Sequence, residues 1–145
     1  MARLASLAAQ IAVRTLLRSD AALEALTGDD GDGGARVFDG VPDDQAYPYV
    51  TFGDHNESPW DVFGKDGSEN RLTLFVWSQA LGYEEALTIA DRIQQLLHNA
   101  SLAFDVSDER ASVRCRLEML DTMREPDGRT RRAVMRFLIN TEETT

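Results

Sequence analysis

Two long alternating runs near the C-terminus, SVRCRLEMLD at 112–121 and RRAVMRFLINT at 131–141, flank the segment REPDGRT and constrain the fold more than any other feature. In a strand, successive side chains point to opposite faces, so strict alternation marks a half-buried strand. The first run sets Val113, Cys115, Leu117 and Met119 inward against Arg114, Arg116 and Glu118 outward. The second sets Ala133, Met135, Phe137 and Ile139 against Arg132, Val134, Arg136 and Leu138. Pro126, Asp127 and Gly128 between them are turn residues, so the two runs predict an antiparallel hairpin. A sheet built on this hairpin needs further strands and a cover for its apolar face.

Upstream segments supply both. RLTLFVWS at 71–78 has Leu72, Leu74 and Val76 on one side and Phe75 and Trp77 on the other, the pattern of a central strand. In FDGVPDDQAYPYVTFGD, residues 38–54, Asp39, Asp43 and Asp44 around Gly40 and Pro42 read as a turn. Pro48 pushes Tyr47 toward extended geometry, and a strand is expected over Tyr49–Asp54. Short strands are also expected at Arg36–Phe38 and Leu102–Phe104. The clearest helix covers 83–99, with Ala86, Ile89, Ala90, Ile93, Leu96 and Leu97 as its stripe and Asn99 at its end. A first helix from about Ala5 to Arg18 aligns Leu4, Leu7, Ala8, Ile11, Thr15 and Leu16, and a short one capped by Ser19 or Asp20 ends at Gly28. The reading is one α+β domain over 1–145: a mostly antiparallel sheet, two main helices on one face, and a long β-hairpin loop. The far face, with Phe75, Trp77, Val134 and Leu138 among arginines, keeps apolar area for a partner.

With 145 residues, 43% of them hydrophobic, the chain can bury a core without staples. Gln10, Arg14 and Arg18 break the N-terminal apolar stretch, so neither a membrane span nor a signal-peptide layout is expected, and synthesis in a cytoplasm is. Cys115, the single cysteine, falls within an alternating run and reads as core.

The searches for chemistry return nothing. G-x-S-x-G, G-x-x-x-x-G-K-[ST] and H-E-x-x-H are all missing, which points away from an enzyme and from a cofactor. His55 and His98 read as a surface histidine and a helix-end histidine, with no metal expected. GDDGDGG at 28–34 fails the calcium-loop pattern, because Gly34 and Ala35 stand where an oxygen ligand and the glycine belong.

Charge is more informative. Residues 20–69 hold 13 acidic residues against Arg36 and Lys65, whereas residues 110–136 hold eight arginines against four acids. The two regions are complementary within one subunit or between copies. The net charge of −10 argues against tight nucleic-acid binding, which rests on neutralising phosphates.

The helix pair around LLRSDAALEAL, the segment RVFDGVPDDQAYPYVTFGD, the strand LTLFVWS, the helix GYEEALTIADRIQQLL and the hairpin around DGRTRRAVMRFLI together resemble the bacteriophage tail-terminator family, also called tail-completion or head-to-tail joining proteins. The version found in gene transfer agents is especially similar. The most specific pieces are 41–50 and the VWS-plus-helix segment, and the resemblance covers nearly the whole chain.

It implies a virion protein of the tail neck, assembled in a bacterial cytoplasm. Six copies would form a ring that caps the head-proximal end of the tail tube, stops subunit addition and meets the head-side connector or stopper. DNA would pass through without specific binding. Expected ring contacts join Asp39, Asp43 and Asp44 to Arg114, Arg116, Arg132 and Arg136. The segment HNESPWDVFGKDGSEN is expected to reach out as an arm, with Trp60, Val62, Phe63 and Lys65 touching a partner. The alternatives are another neck component, a stopper or a tube subunit, and a small cytoplasmic enzyme or ligand-binding module.

Overall fold

The computed structural model describes residues 3–61, 64 and 66–144. In chain order the elements are α1 (Ala5–Arg18), α2 (Ala21–Thr27), β1 (Val37–Phe38), β2 (Tyr49–Pro59), β3 (Gly67–Ser78), α3 (Glu84–Leu97), a 3-10 turn (Val106–Asp108), β4 (Arg110–Arg124) and β5 (Arg131–Glu143). The sheet order is β1-β2-β3-β5-β4, antiparallel except for the short β1–β2 pair. This is the expected α+β architecture. β5 is inserted between β3 and β4, so its apolar set is central and its register with both neighbours is fixed by burial.

The helices lie on one face. Leu72, Leu74 and Val76 of β3 and Ala133, Met135, Phe137 and Ile139 of β5 point into the same core as Ile89, Ile93 and Leu97 of α3. α2 is locked to α3 by Asp20, whose carboxylate accepts the Leu23 N–H at 2.8 Å and bonds the Arg92 guanidinium at 2.7 and 2.9 Å. Asp30 closes the following loop by accepting from Asp32 N–H, Gly34 N–H and Arg18 Nε. Arg18, first among these, holds the Asp30 carboxyl down at about 2.

Several expectations are overturned. In α1 the stripe of large side chains faces out: Leu4, Leu7 and Ile11 are exposed, and Ala5, Ala8, Ala9, Ala12, Val13 and Leu17 are buried. The helix is apolar on nearly every side, and the alanine side permits the closer approach to the sheet. No strand forms at Leu102–Phe104; Leu102 anchors an irregular segment to the core. In β4 the alternation slips at two bulges, between Ser112 and Arg114 and between Leu117 and Met119. Cys115 stays buried as expected, and burial pushes its thiol up to about 12, but Val113 and Met119 are exposed.

The far face of the sheet also differs. Val134 and Leu138 are 8% and 3% exposed without any helix above them. Arginines lie over the aromatic residues and acids of this face. The Arg132 guanidinium lies 4.8 Å from the Phe75 ring centre and 5.1 Å from that of Trp77, while Arg71 bridges Glu69 and Glu118 at 2.7 and 3.2 Å.

Candidate assembly surfaces

The stretch expected to be a free arm is largely sheet. β2 continues to Pro59 and pairs through His55↔Leu72, Asn56↔Arg71, Glu57↔Asn70, Ser58↔Glu69 and Pro59↔Ser68. β3 pairs with β5 from Gly67↔Glu142 onward, so the hairpin base is fixed on its β5 side as well. Its buried positions are polar and satisfy one another: Asn70 Nδ2 donates to Ser68 Oγ at 2.8 Å, and Ser68 Oγ and Thr141 Oγ1 share a bond at 2.6 Å. His55 is a member of this network rather than a surface histidine, with Nε2 3.0 Å from Asn70 Oδ1. Polar side chains at these positions hide the strand from hydrophobic pattern, and Ser68, Asn70 and Thr141 find their partners across it.

β2 ends at Pro59 and β3 begins at Gly67. Trp60 is half-buried, and its backbone N–H donates to the Gly67 carbonyl at 3.0 Å. Val62, Phe63 and Lys65 lie outside the described residues. At this same end Glu57 Oε1 accepts the Ser6 N–H at 2.9 Å, so a carboxylate from β2 sits at the N-terminus of α1, where the helix dipole favours it.

The opposite end of the sheet gathers the turns. Tyr49↔Trp77, Ser78↔Arg131 and Arg124↔Arg131 put the entry to β2, the exit of β3 and the β4–β5 turn at one level. The 39–48 loop enters at the β1 edge, with Asp39, Asp43 and Asp44 exposed and without a hydrogen bond or ion pair among the described residues. Asp44 has φ 56 and the Tyr47–Pro48 peptide is cis.

The other edge is β4. Arg114 and Arg116 are exposed there; Arg114 Nε donates to Asn140 Oδ1 at 3.3 Å, and Arg116 has no partner among the described residues. Arg136 is exposed on the neighbouring strand. Arg132 is half-buried and spent within the chain, on Glu125 at 3.1 Å and on the two aromatic rings. The sequence grouped these four arginines, but among the described residues only Arg116 and Arg136 are without a partner. The β4 edge itself is partly sealed: Asn99 N–H donates to the Cys115 carbonyl at 2.7 Å, and His98 Nδ1 accepts the Leu117 N–H at 3.0 Å.

The chain therefore offers an acidic edge, a basic edge and a hairpin whose base is part of the sheet, with its histidines and cysteine engaged in structure. Residues 11–142 match the family of tail completion protein gp17. The chain belongs to that family. It is thus a structural component of a virion tail. It is also similar to a solved chain from the virion of a native gene transfer agent particle, with 25% identity and a TM-score of 0.81 over 97% of this chain and 99% of that one. No curated protein matches it.

Proposed function

We propose that this tail completion protein closes into a ring of six copies on the head-proximal end of the tail tube, ends tube growth there and gives its other surface to the head-side connector. The observation that carries the reading is the separation of charge across the sheet. Unpaired Asp39, Asp43 and Asp44 lie at the β1 edge and Arg114 and Arg116 at the β4 edge, with Arg136 beside them. Two different, complementary patches on opposite flanks are what a head-to-tail interface needs, and such an interface makes a ring when its rotation closes. Arg132 is left out of this contact because Glu125 already holds it. The role is architectural rather than catalytic.

The hairpin supplies the tube contact in this reading. Its base is sheet, and the segment that joins its strands, with Trp60, Val62, Phe63 and Lys65 in its sequence, carries the anchors. Acidic groups left facing the channel let DNA through by repulsion.

The test is to add purified protein to tail-tube subunits as they polymerise. The expected result is shorter tubes bearing this protein at one end. Incorporation along the tube would instead make it a tube subunit, and unaltered tubes with binding only to the head-side connector would make it a stopper. Native mass measurement should give a closed oligomer that opens as salt is raised, since exposed charge pairs are screened.

A further inference from the structure

The end of the sheet that carries the acidic loop also holds a cation without a counter-charge. Arg131 is only 7% exposed, yet it has no ion pair among the described residues. Its Nη1 donates to the carbonyls of Ala80 and Arg129 at 3.1 and 3.4 Å, its guanidinium lies 5.7 Å from the Tyr83 ring centre, and its Nε is buried with no partner. A guanidinium taken out of water with only neutral partners is costly unless an anion completes it.

The acids nearby are already engaged. Asp127 accepts from Arg129 N–H, Thr130 N–H and Thr130 Oγ1; Glu125 holds Arg132; Glu85 accepts from Ser78 Oγ at 2.8 Å. Two more arginines add to the excess, Arg124 opposite Arg131 in register and exposed Arg129. Beside Arg129 and Arg131 opens a recess of about 250 Å³, lined also by Gln79, Leu81 and Gly128.

We propose that this recess is a carboxylate socket, filled in the assembled particle by Asp43 or Asp44 of a second copy. The inference rests on the ring reading and moves the landing place of Asp43 and Asp44 from Arg114 and Arg116 to the β4–β5 turn, which is at the loop's own end of the sheet. The loop lies on the β1–β2 side of this end of the sheet and the socket between the exit of β3 and the β4–β5 turn, with Gln79 lining both the socket and the recess beside Asp44; a head-to-tail contact made at this end sets one copy's loop against the next copy's socket. Their charges are complementary, and Asp43, Asp44 and Arg131 form no ion pair among the described residues of their own chain. Each side also carries an exposed apolar residue for the contact, Val41 on the loop and Leu81, 95% exposed, on the socket rim.

The test uses two full-length charge-reversed chains, Arg129→Glu and Asp43→Lys/Asp44→Lys, with circular dichroism to verify folding and native mass measurement to read assembly. Each alone should assemble about a hundredfold more weakly than the parent. Mixed in equal amounts they should recover a closed oligomer of equal composition, because alternating copies pair lysine with glutamate at one junction and the original charges at the next. Arg131→Lys should keep closing, whereas Arg131→Met should stay open; if that variant does not fold, Arg129→Glu carries the test. A parent that remains solitary overturns the ring and the socket together. A parent that closes while both reversed chains close as readily, or while the folded mixture stays open, overturns the socket and leaves the ring standing.

Discussion

Gly67 begins β3 directly below the hairpin tip, and the Gly67→Ala variant tests whether that hairpin is built into the sheet. A Cβ at Gly67 would fall inside the contact distance of the Trp60 carbonyl oxygen and 2.6 Å from the Thr141 carbonyl oxygen. Both atoms are backbone on the two flanking segments, so neither can swing aside as a side chain would. Overpacking of this kind costs about 3 kcal/mol at the upper end of the usual range. Restricting the unfolded chain returns about 0.5–1 kcal/mol. The net loss is therefore about 2 kcal/mol, which for a chain of this size lowers the melting temperature by about 4–8 °C. Gly40→Ala is the control, since no atom lies within 4 Å of its added Cβ and its φ is not positive; it should gain about 0.4–1 kcal/mol. Thermal melts and urea titrations of both variants check the numbers. A Gly67→Ala protein as stable as the parent, or a Gly40→Ala protein that loses as much, would refute the placement of Gly67 between Trp60 and β5.

Asp20→Ala should cost about 2 kcal/mol in urea, losing both the α2 cap and the Arg92 bond, while Asp20→Asn keeps the cap and should lose about half as much. Because the folded Asp30 carboxyl is depressed to about 2 from 3.8, its contribution is complete above about pH 4 and disappears as pH falls toward 2. Asp30→Asn should thus cost about 1–2 kcal/mol at neutral pH, after allowance for solvent screening, and flatten the acid limb of a stability–pH profile. Replacing residues 61–66 by Asn-Gly, which closes a two-residue hairpin, should leave the melting curve near that of the parent and abolish co-sedimentation with tail tubes. Retained co-sedimentation would move the tube contact elsewhere.

How legible the molecule is in its sequence depends on whether apolar residues alone decide a position. β3, α3 and β5 are read correctly because Leu72, Ile93 and Phe137 belong to stripes with a single buried side. α1 is misread because apolar residues nearly encircle it, leaving close approach through Ala8 and Ala9 to choose the face. β4 is misread beyond Cys115 because a bulge resets the period, and no residue type announces a bulge. The lower hairpin is missed because its interior is Ser68, Asn70 and Thr141, whose burial is made tolerable by partners distant in sequence. The charge imbalance is plain from composition, but opposite edges emerge only with the strand order. Arg131 was one of eight arginines in its region until burial without a carboxylate set it apart.

The way His98 and Asn99 sit on β4 governs what the chain does while it waits. A bare strand margin invites zippering into fibres, and β4 is the longest such margin here. The end of α3 stoppers its middle, and a kink in the backbone follows immediately, so a stray strand finds no continuous rail to climb. Copies that meet along this margin therefore lack the unbroken strand on which fibres stack.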